Sequence, residues 1–175
     1  MTPDKKFVEL DKSVHDRKNF SCGLDVLDRF LINQASKHRD LKISRTMVLP
    51  ATEPVASTSL YPITAFYTTS QTTIDRQTLP ARVAKALPNY PVPVFIIPCV
   101  AVDKNLQAQG IGKASLISAL KSHDQAGKKG ISGIGVVIDP VDEKADAIYR
   151  KFGFETLTEK RLFIGMQTVE KLFDS

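Results

Sequence analysis

Tryptophan is absent and cysteine is scarce: the 175 residues include only Cys22 and Cys99, and the histidines number three, His15, His38 and His123. Two distant thiols are too few for a disulfide framework. With no CxxC spacing and no i, i+4 histidine pair, neither zinc nor any other metal is expected. No run approaches the ~18 to 20 continuous apolar residues that a membrane span requires. The opening MTPDKKFVELDK is too polar for a signal peptide, which makes the cytoplasm the expected location and a membrane partner unexpected. Charge of a single sign is missing as well. Lys and Arg total 24 against 19 Asp and Glu, a net charge of +5. The surplus is spread along the chain, with Arg45, Arg82 and Lys85 in its most basic third, and no basic arm is present. Such a balance favours encounters with polyanions without establishing nucleic-acid binding.

What is present is globular. At 42% hydrophobic and 25% charged residues, the chain has ordinary folded composition. Its length fits one domain, 1–175, able to bury roughly 70% of the surface of the unfolded chain. A short strand is expected at Phe7 to Leu10. An amphipathic helix should follow, with Leu24, Leu27, Phe30, Leu31 and Ala35 on one face. Ile43 to Leu49 and Ser59 to Ser70 are β-branched and aromatic and read as an antiparallel hairpin. A short helical piece near Ala81 to Leu87 precedes PVPVFIIPCVAVD, two apolar runs parted by Pro98. That pattern predicts a strand buried on two faces with a bulge or a parting of strands at the proline. Then come a helix to about His123 with Leu116, Ile117 and Leu120 buried, a strand from Ile131 to Ile138, and a helix with Ala145, Ile148, Tyr149 and Phe152 on one stripe. Asp139 or Asp142 can cap that helix. A last strand from Glu155 to Ile164 and a helix from Thr168 to Phe173 complete a mixed αβα architecture, a mixed antiparallel and parallel sheet flanked by helices.

The chemically informative segment is Asp103 to Gly112, DKNLQAQGIG, where a buried strand hands over to a helix through two glycines. Glycine admits close approach of a ligand to the backbone, and the first-turn amides of a helix point outward with the positive end of its dipole behind them. A diphosphate fits such a nest. Alone, Gly-x-Gly also describes an ordinary tight turn. There is no GxxxxGK[ST], and the spacing is not that of a dinucleotide fingerprint.

VAVDKNLQAQGIG resembles the acetyl-CoA motif of the GNAT N-acetyltransferases, Q/R-x-x-G-x-G/A, filled here by Gln107, Ala108, Gln109, Gly110, Ile111 and Gly112. FSCGLDVLDRFL, TTSQTTIDRQTLP, AVDKNLQAQGIG and AIYRKFGF together are similar in order to the GNAT toxins of bacterial toxin-antitoxin modules. The resemblance implies an acetyl-CoA-dependent enzyme that acetylates the α-amine of aminoacyl-tRNA and blocks translation. It also implies a ribbon-helix-helix antitoxin as partner, a possible homodimer, and contact with operator DNA only through the antitoxin complex. By the same resemblance, the backbone of Val100, Ala101 and Val102 pairs with the pantetheine amides, and the amides of Gln107 to Gly112 hold the pyrophosphate with help from Lys104 or Lys113. Tyr149 is general acid to the departing thiolate. An ordinary phenol is protonated at neutral pH, so the chemistry is sound, although the helical stripe taken without the resemblance reads Tyr149 as a core aromatic.

No general base stands out. A free α-amine of pKa ~7.7 to 8 needs positioning more than proton abstraction. The chain departs from the resemblance at Ile148, where an aromatic is usual, at Cys99, where related toxins often carry arginine, and at Asp142, where asparagine is frequent. Arg45, Arg82 and Lys85 are the candidates to meet substrate RNA instead, each of them also readable as a solvated surface charge. Two other readings stay open: an acetyltransferase for protein N-termini, lysines or small amines, and a catalytically weak domain that binds RNA or an antitoxin.

Overall fold

The structure is a computed structural model and describes residues 1–174. Its chain forms two compact units, Met1–Thr69 with Cys99–Ala119, and Ser70–Pro98 with the chain from Leu120 onward. The division runs through two strands and one helix that have residues in both units.

In the first unit, the expected hairpin is β3 (Arg45–Pro50) against the start of β4 (Tyr61–Ile74), antiparallel from Arg45↔Thr69 to Pro50↔Ile63 with a register shift at Leu49/Pro50. β1 (Val8–Glu9) adds to the other side of β3. β2 (His15–Asp16) pairs parallel with Tyr61 and Pro62, a two-residue element too short to carry a period in sequence. The helix expected from Leu24 is two helices, α1 (Asp25–Asn33) and α2 (Ala35–Asp40), broken where Gln34 leaves helical geometry at φ −124°, ψ −34°. Leu31 and Ala35 seat as expected, while Leu24 is the N-cap of α1 and lies 45% exposed. These elements enclose a core of Leu10, Phe20, Leu31, Val48, Phe66 and Ala101, with Phe20 edge-on to Phe66 at 5.4 Å. Leu27, Phe30 and Cys99 are half-buried against it.

In the second unit, β5 (Val92–Val102) contributes its first half, paired in parallel with β6 (Gly135–Ile138) from Phe95↔Val136 to Ile97↔Ile138. That ladder ends at the residue before Pro98, in accord with the expected parting, although β5 itself runs through the proline. A parallel pair needs a crossover, and α4 (Ile111–Lys128) lies between β5 and β6 in the chain. It is five residues longer than the sequence predicts, and Ile117 is not in its buried stripe: that residue is 37% exposed. After α3 (Ala81–Ala84) and a preceding 3-10 turn (Arg76–Thr78), the apolar side chains Ile74, Leu79, Val92, Val94, Val137 and Phe163 form the core of this unit. α5 (Glu143–Lys151) is capped by Asp142, whose carboxylate accepts from the Ala145 amide at 2.8 Å. Ile148, expected on its buried stripe, is 38% exposed. The single last strand is corrected to a hairpin, β7 (Glu155–Thr158) and β8 (Arg161–Gly165), the latter antiparallel to β6. Glu159 and Lys160 make the turn without any of the residues that mark one. α6 (Met166–Phe173) follows. The fold class is the mixed α/β one that the pattern predicts. Among the described residues, no helix is long and apolar enough to cross a membrane.

Candidate active site

The turn that leaves β5 is fixed by polar contacts that the sequence does not advertise. The Asp103 amide donates to the Thr64 carbonyl at 2.8 Å, and the buried Asp103 carboxylate accepts from the Asn105 amide at 2.9 Å. The Lys104 amide donates to Ser21 O at 2.8 Å. Gln107 then folds back. Its Nε2 donates to Val102 O at 3.0 Å and to Cys22 O at 2.9 Å, so the side chain staples the turn to the strand end and its amide donors are spent there.

Two residues beyond this staple have left-handed backbone, Ala108 at φ 62° and Gly110 at φ 85°. Such reversals of hand turn successive N–H groups toward one side and make an anion-binding concavity. Glycine is needed at 110 for its dihedral. A Cβ there would meet nothing within 4 Å, so the space before it is open. Gly112 has no such dihedral, and a Cβ would stand 3.8 Å from Val102 Cγ2, an ordinary contact. The Ala114 amide donates to Gly110 O at 3.1 Å, so α4 begins here, and the Ile111 and Gly112 amides, ahead of that bond, have no intrahelical acceptor to use. Gln107, Ala108, Gln109, Gly110 and Lys113 are exposed, while Ile111 and Gly112 are half-buried.

Val100 and Val102 are half-buried and Ala101 is 5% exposed, on the same strand end that Gln107 holds. Within the first unit the structure therefore joins Val100–Val102 and Gln107–Lys113 into one strand-turn-helix passage. Its donors are amides flanked by the exposed Lys104 and Lys113, and the carboxylate nearest in sequence, Asp103, is buried and engaged. This donor set fits a diphosphate and, on the strand, an amide-bearing chain.

Tyr149 lies in the second unit on α5, 7% exposed, its ring 6.1 Å from that of Phe154. Burial, and then the charge of Asp142, push the phenol up to about 12, so it holds its proton throughout the physiological range. The thiols are inert for a like reason: burial pushes both Cys22 and Cys99 up to about 11. Of the three cations expected to meet RNA, Arg45 is paired with Glu9 at 3.2 Å in the first unit, and Arg82 with Glu155 in the second. Lys85 is exposed at the C-cap of α3. Among the described residues no group of three or more His, Cys, Asp or Glu is placed to hold a metal ion.

No family model matches the chain. A curated protein, "Probable toxin TacT" of Sinorhizobium fredii (strain NBRC 101917 / NGR234), is 28% identical over 180 residues, covering 96% of this chain and 95% of its own. A tyrosine-to-phenylalanine mutant of KacT superimposes with a TM-score of 0.85 at 25% identity, covering 96% of this chain and 98% of that one. AtaTR bound with AcCoA gives 0.80 at 25% identity, covering 97% and 98%. The fold is that of the GNAT toxins. AtaT complexed with acetyl-methionyl-tRNAfMet shares it too, at a TM-score of 0.82 and 24% identity over 97% of this chain and 99% of that one.

Proposed function

We propose that the protein is an acetyl-CoA-dependent N-acetyltransferase toxin that acetylates the α-amine of aminoacyl-tRNA and so inhibits translation. The observation that carries this reading is the left-handed pair Ala108 and Gly110 opening α4 at the end of β5, an amide nest of the kind a diphosphate needs. The neighbours add to it: AtaTR is bound with AcCoA, AtaT is complexed with acetyl-methionyl-tRNAfMet, and AtaT also occurs bound to the C-terminus of the antitoxin AtaR.

In this reading the amides of Gln107, Ala108, Gln109, Gly110, Ile111 and Gly112, with Lys113 beside them, hold the diphosphate. The Val100–Val102 backbone pairs with the pantetheine amides by strand addition. The thioester supplies the acetyl group. The free amine attacks its carbonyl directly, the C–N bond forms as the C–S bond breaks, the proton the nitrogen releases passes to solvent and makes good the one given to the sulfur, and no covalent enzyme intermediate arises. Tyr149 O–H donates to the sulfur as negative charge develops on it. A phenol near 12 is a poor proton source for a thiol of ordinary pKa ~8.5. In a dry site the match improves, since burial lifts the Cys99 thiol of this chain to about 11. Lys85, exposed and outside the ion pairs that occupy Arg45 and Arg82, is the foremost of the three candidate contacts to RNA.

The same reading makes residues 1–175 one functional domain and gives it a ribbon-helix-helix antitoxin, a homodimeric state, operator DNA reached through the antitoxin complex, and a cytoplasmic location. Labelled acetyl-CoA offered with charged tRNAs, lysine peptides and polyamines tests it. Label on the aminoacyl group is expected. Label confined to peptides or polyamines would move the protein to the second reading, an acetyltransferase of proteins or small amines.

A further inference from the structure

Three adjacent strands of the first unit carry a row of neutral polar side chains. Thr46 on β3 and Thr68 on β4 are direct cross-strand partners, 2% and 0% exposed, and their hydroxyl oxygens lie 3.1 Å apart. Thr68 also hydrogen-bonds the thiol of Cys99 on β5. The row is sealed at the threonines and opens at Cys99, which is half-buried at the margin of the core along with Leu27 and Phe30. Charge is absent from it. Arg45, next to Thr46, alternates to the opposite side of the strand and pairs with Glu9. The half-buried Cys99, its thiol raised by desolvation to about 11, keeps its proton at neutral pH.

The position of this opening follows from the direction of the chain. With the diphosphate on the turn at Ala108–Gly112 and the pantetheine running back along Val102 to Val100, the thioester end arrives at the next residue of β5, Cys99. That step rests on the acyl-carrier reading given above. We infer that Cys99, held by the Thr46–Thr68 pair, is a specificity-determining residue: it gives the thioester end a neutral wall that selects aminoacyl-tRNAs whose amino-acid side chain is uncharged. A carboxylate or an ammonium brought against this wall would lose water and find no opposite charge to offset the loss. The threonine hydroxyls, sealed in the sheet, lie too deep to solvate it.

The test is acetylation kinetics of the full chain with a panel of tRNAs charged with uncharged, acidic and basic amino acids, alongside calorimetric titration of acetyl-CoA. Wild type should favour the uncharged group in kcat/KM by ~100-fold, the equivalent of about 2.7 kcal/mol. Cys99→Arg should raise the acidic aminoacyl-tRNAs relative to the uncharged ones by tenfold or more, Cys99→Asp should do so for the basic ones, and Cys99→Ser should keep the wild-type ranking. Acetyl-CoA affinity should stay within twofold in all four proteins. A purely structural role for Cys99 would scale every acceptor alike, and that result overturns the inference. So does a wild-type enzyme indifferent to acceptor charge, a measurement that stands even if a variant does not fold. Failure to acetylate any charged tRNA is the distinct outcome, since it overturns the proposed function and this inference with it.

Discussion

The turn at Ala108–Gly112 and the tyrosine at 149 are built on opposite principles. The turn is exposed and offers backbone, with Ala108, Gly110 and Gly112 short and Gln107 folded back to hold the loop. Tyr149 is buried and offers one side-chain oxygen whose proton is retained because its surroundings are dry. A backbone site binds with almost no titratable group, so it should be insensitive to pH and sensitive to dihedral angles. A buried side-chain site has the reverse sensitivities.

The sharpest way to separate the two is Tyr149→Phe. Removing only the hydroxyl should lower kcat by ~10³-fold, within the range for general acid catalysis, while acetyl-CoA affinity measured by calorimetry stays within twofold. Equal loss of turnover and affinity would show that the phenol supports the structure instead of the reaction, and the comparison would collapse.

Acid should distinguish a buried titratable group of the second unit from the exposed turn. His123 on α4 is 4% exposed, stacked 4.7 Å from Phe95, and its Nε2 has no hydrogen-bond partner. Burial pushes it down from 6.5 to about 4. The unfolded chain takes up a proton near 6.5 and the folded one does not until about 4, so this contribution to stability is complete above pH 6.5 and is lost as pH falls toward 4. At pH 5 the loss should be about 2 kcal/mol. Urea midpoints at pH 7.5 and pH 5 measure it, and His123→Phe should flatten the difference. An unchanged slope in that variant would assign the acid sensitivity to other groups.

Gly110→Ala tests the backbone side of the comparison. At φ 85° any L-residue is strained, while the added methyl meets no atom within 4 Å, so the effect is conformational and not steric. The strain costs ~1 to 2 kcal/mol, and relaxing it turns the amides away from their common direction. Acetyl-CoA affinity should fall ~10-fold, with kcat at saturation nearly kept. A Kd equal to that of wild type would remove the nest from the binding site.

How legible these two places are in sequence differs for the same reason. Periodicity reports side chains: it locates the β3–β4 hairpin, the buried first half of β5 and the helix carrying Tyr149, since each repeats apolar residues at a spacing its geometry requires. It overstates burial at Ile117 and Ile148, where the stripe is wider on paper than the surface it covers. Backbone events leave a fainter trace. Gly110 signals its own dihedral, but Ala108 does not mark a left-handed residue, nor Gln34 a helix break, nor Glu159 and Lys160 a hairpin turn. The chemistry of the turn was legible through its glycines and through resemblance; its conformation, and the Thr46–Thr68–Cys99 row assembled from three separate strands, exist only after folding.

The smallest effect probes how α5 sets the state of Tyr149. Asp142 does two jobs with one carboxylate: it caps the helix by accepting from the Ala145 amide, and its charge adds to burial in raising the phenol. Asp142→Ala should cost about 1 kcal/mol of stability for the lost cap. It should also let Tyr149 titrate lower than about 12, though still above the ordinary 10, because burial is the larger cause and remains. The shift is read as tyrosinate absorbance in a pH titration, taken as the difference between Asp142→Ala and the same variant carrying Tyr149→Phe, which isolates one tyrosine of the four. A phenol that titrates as in wild type would mean that burial alone keeps Tyr149 protonated and that Asp142 serves only the helix.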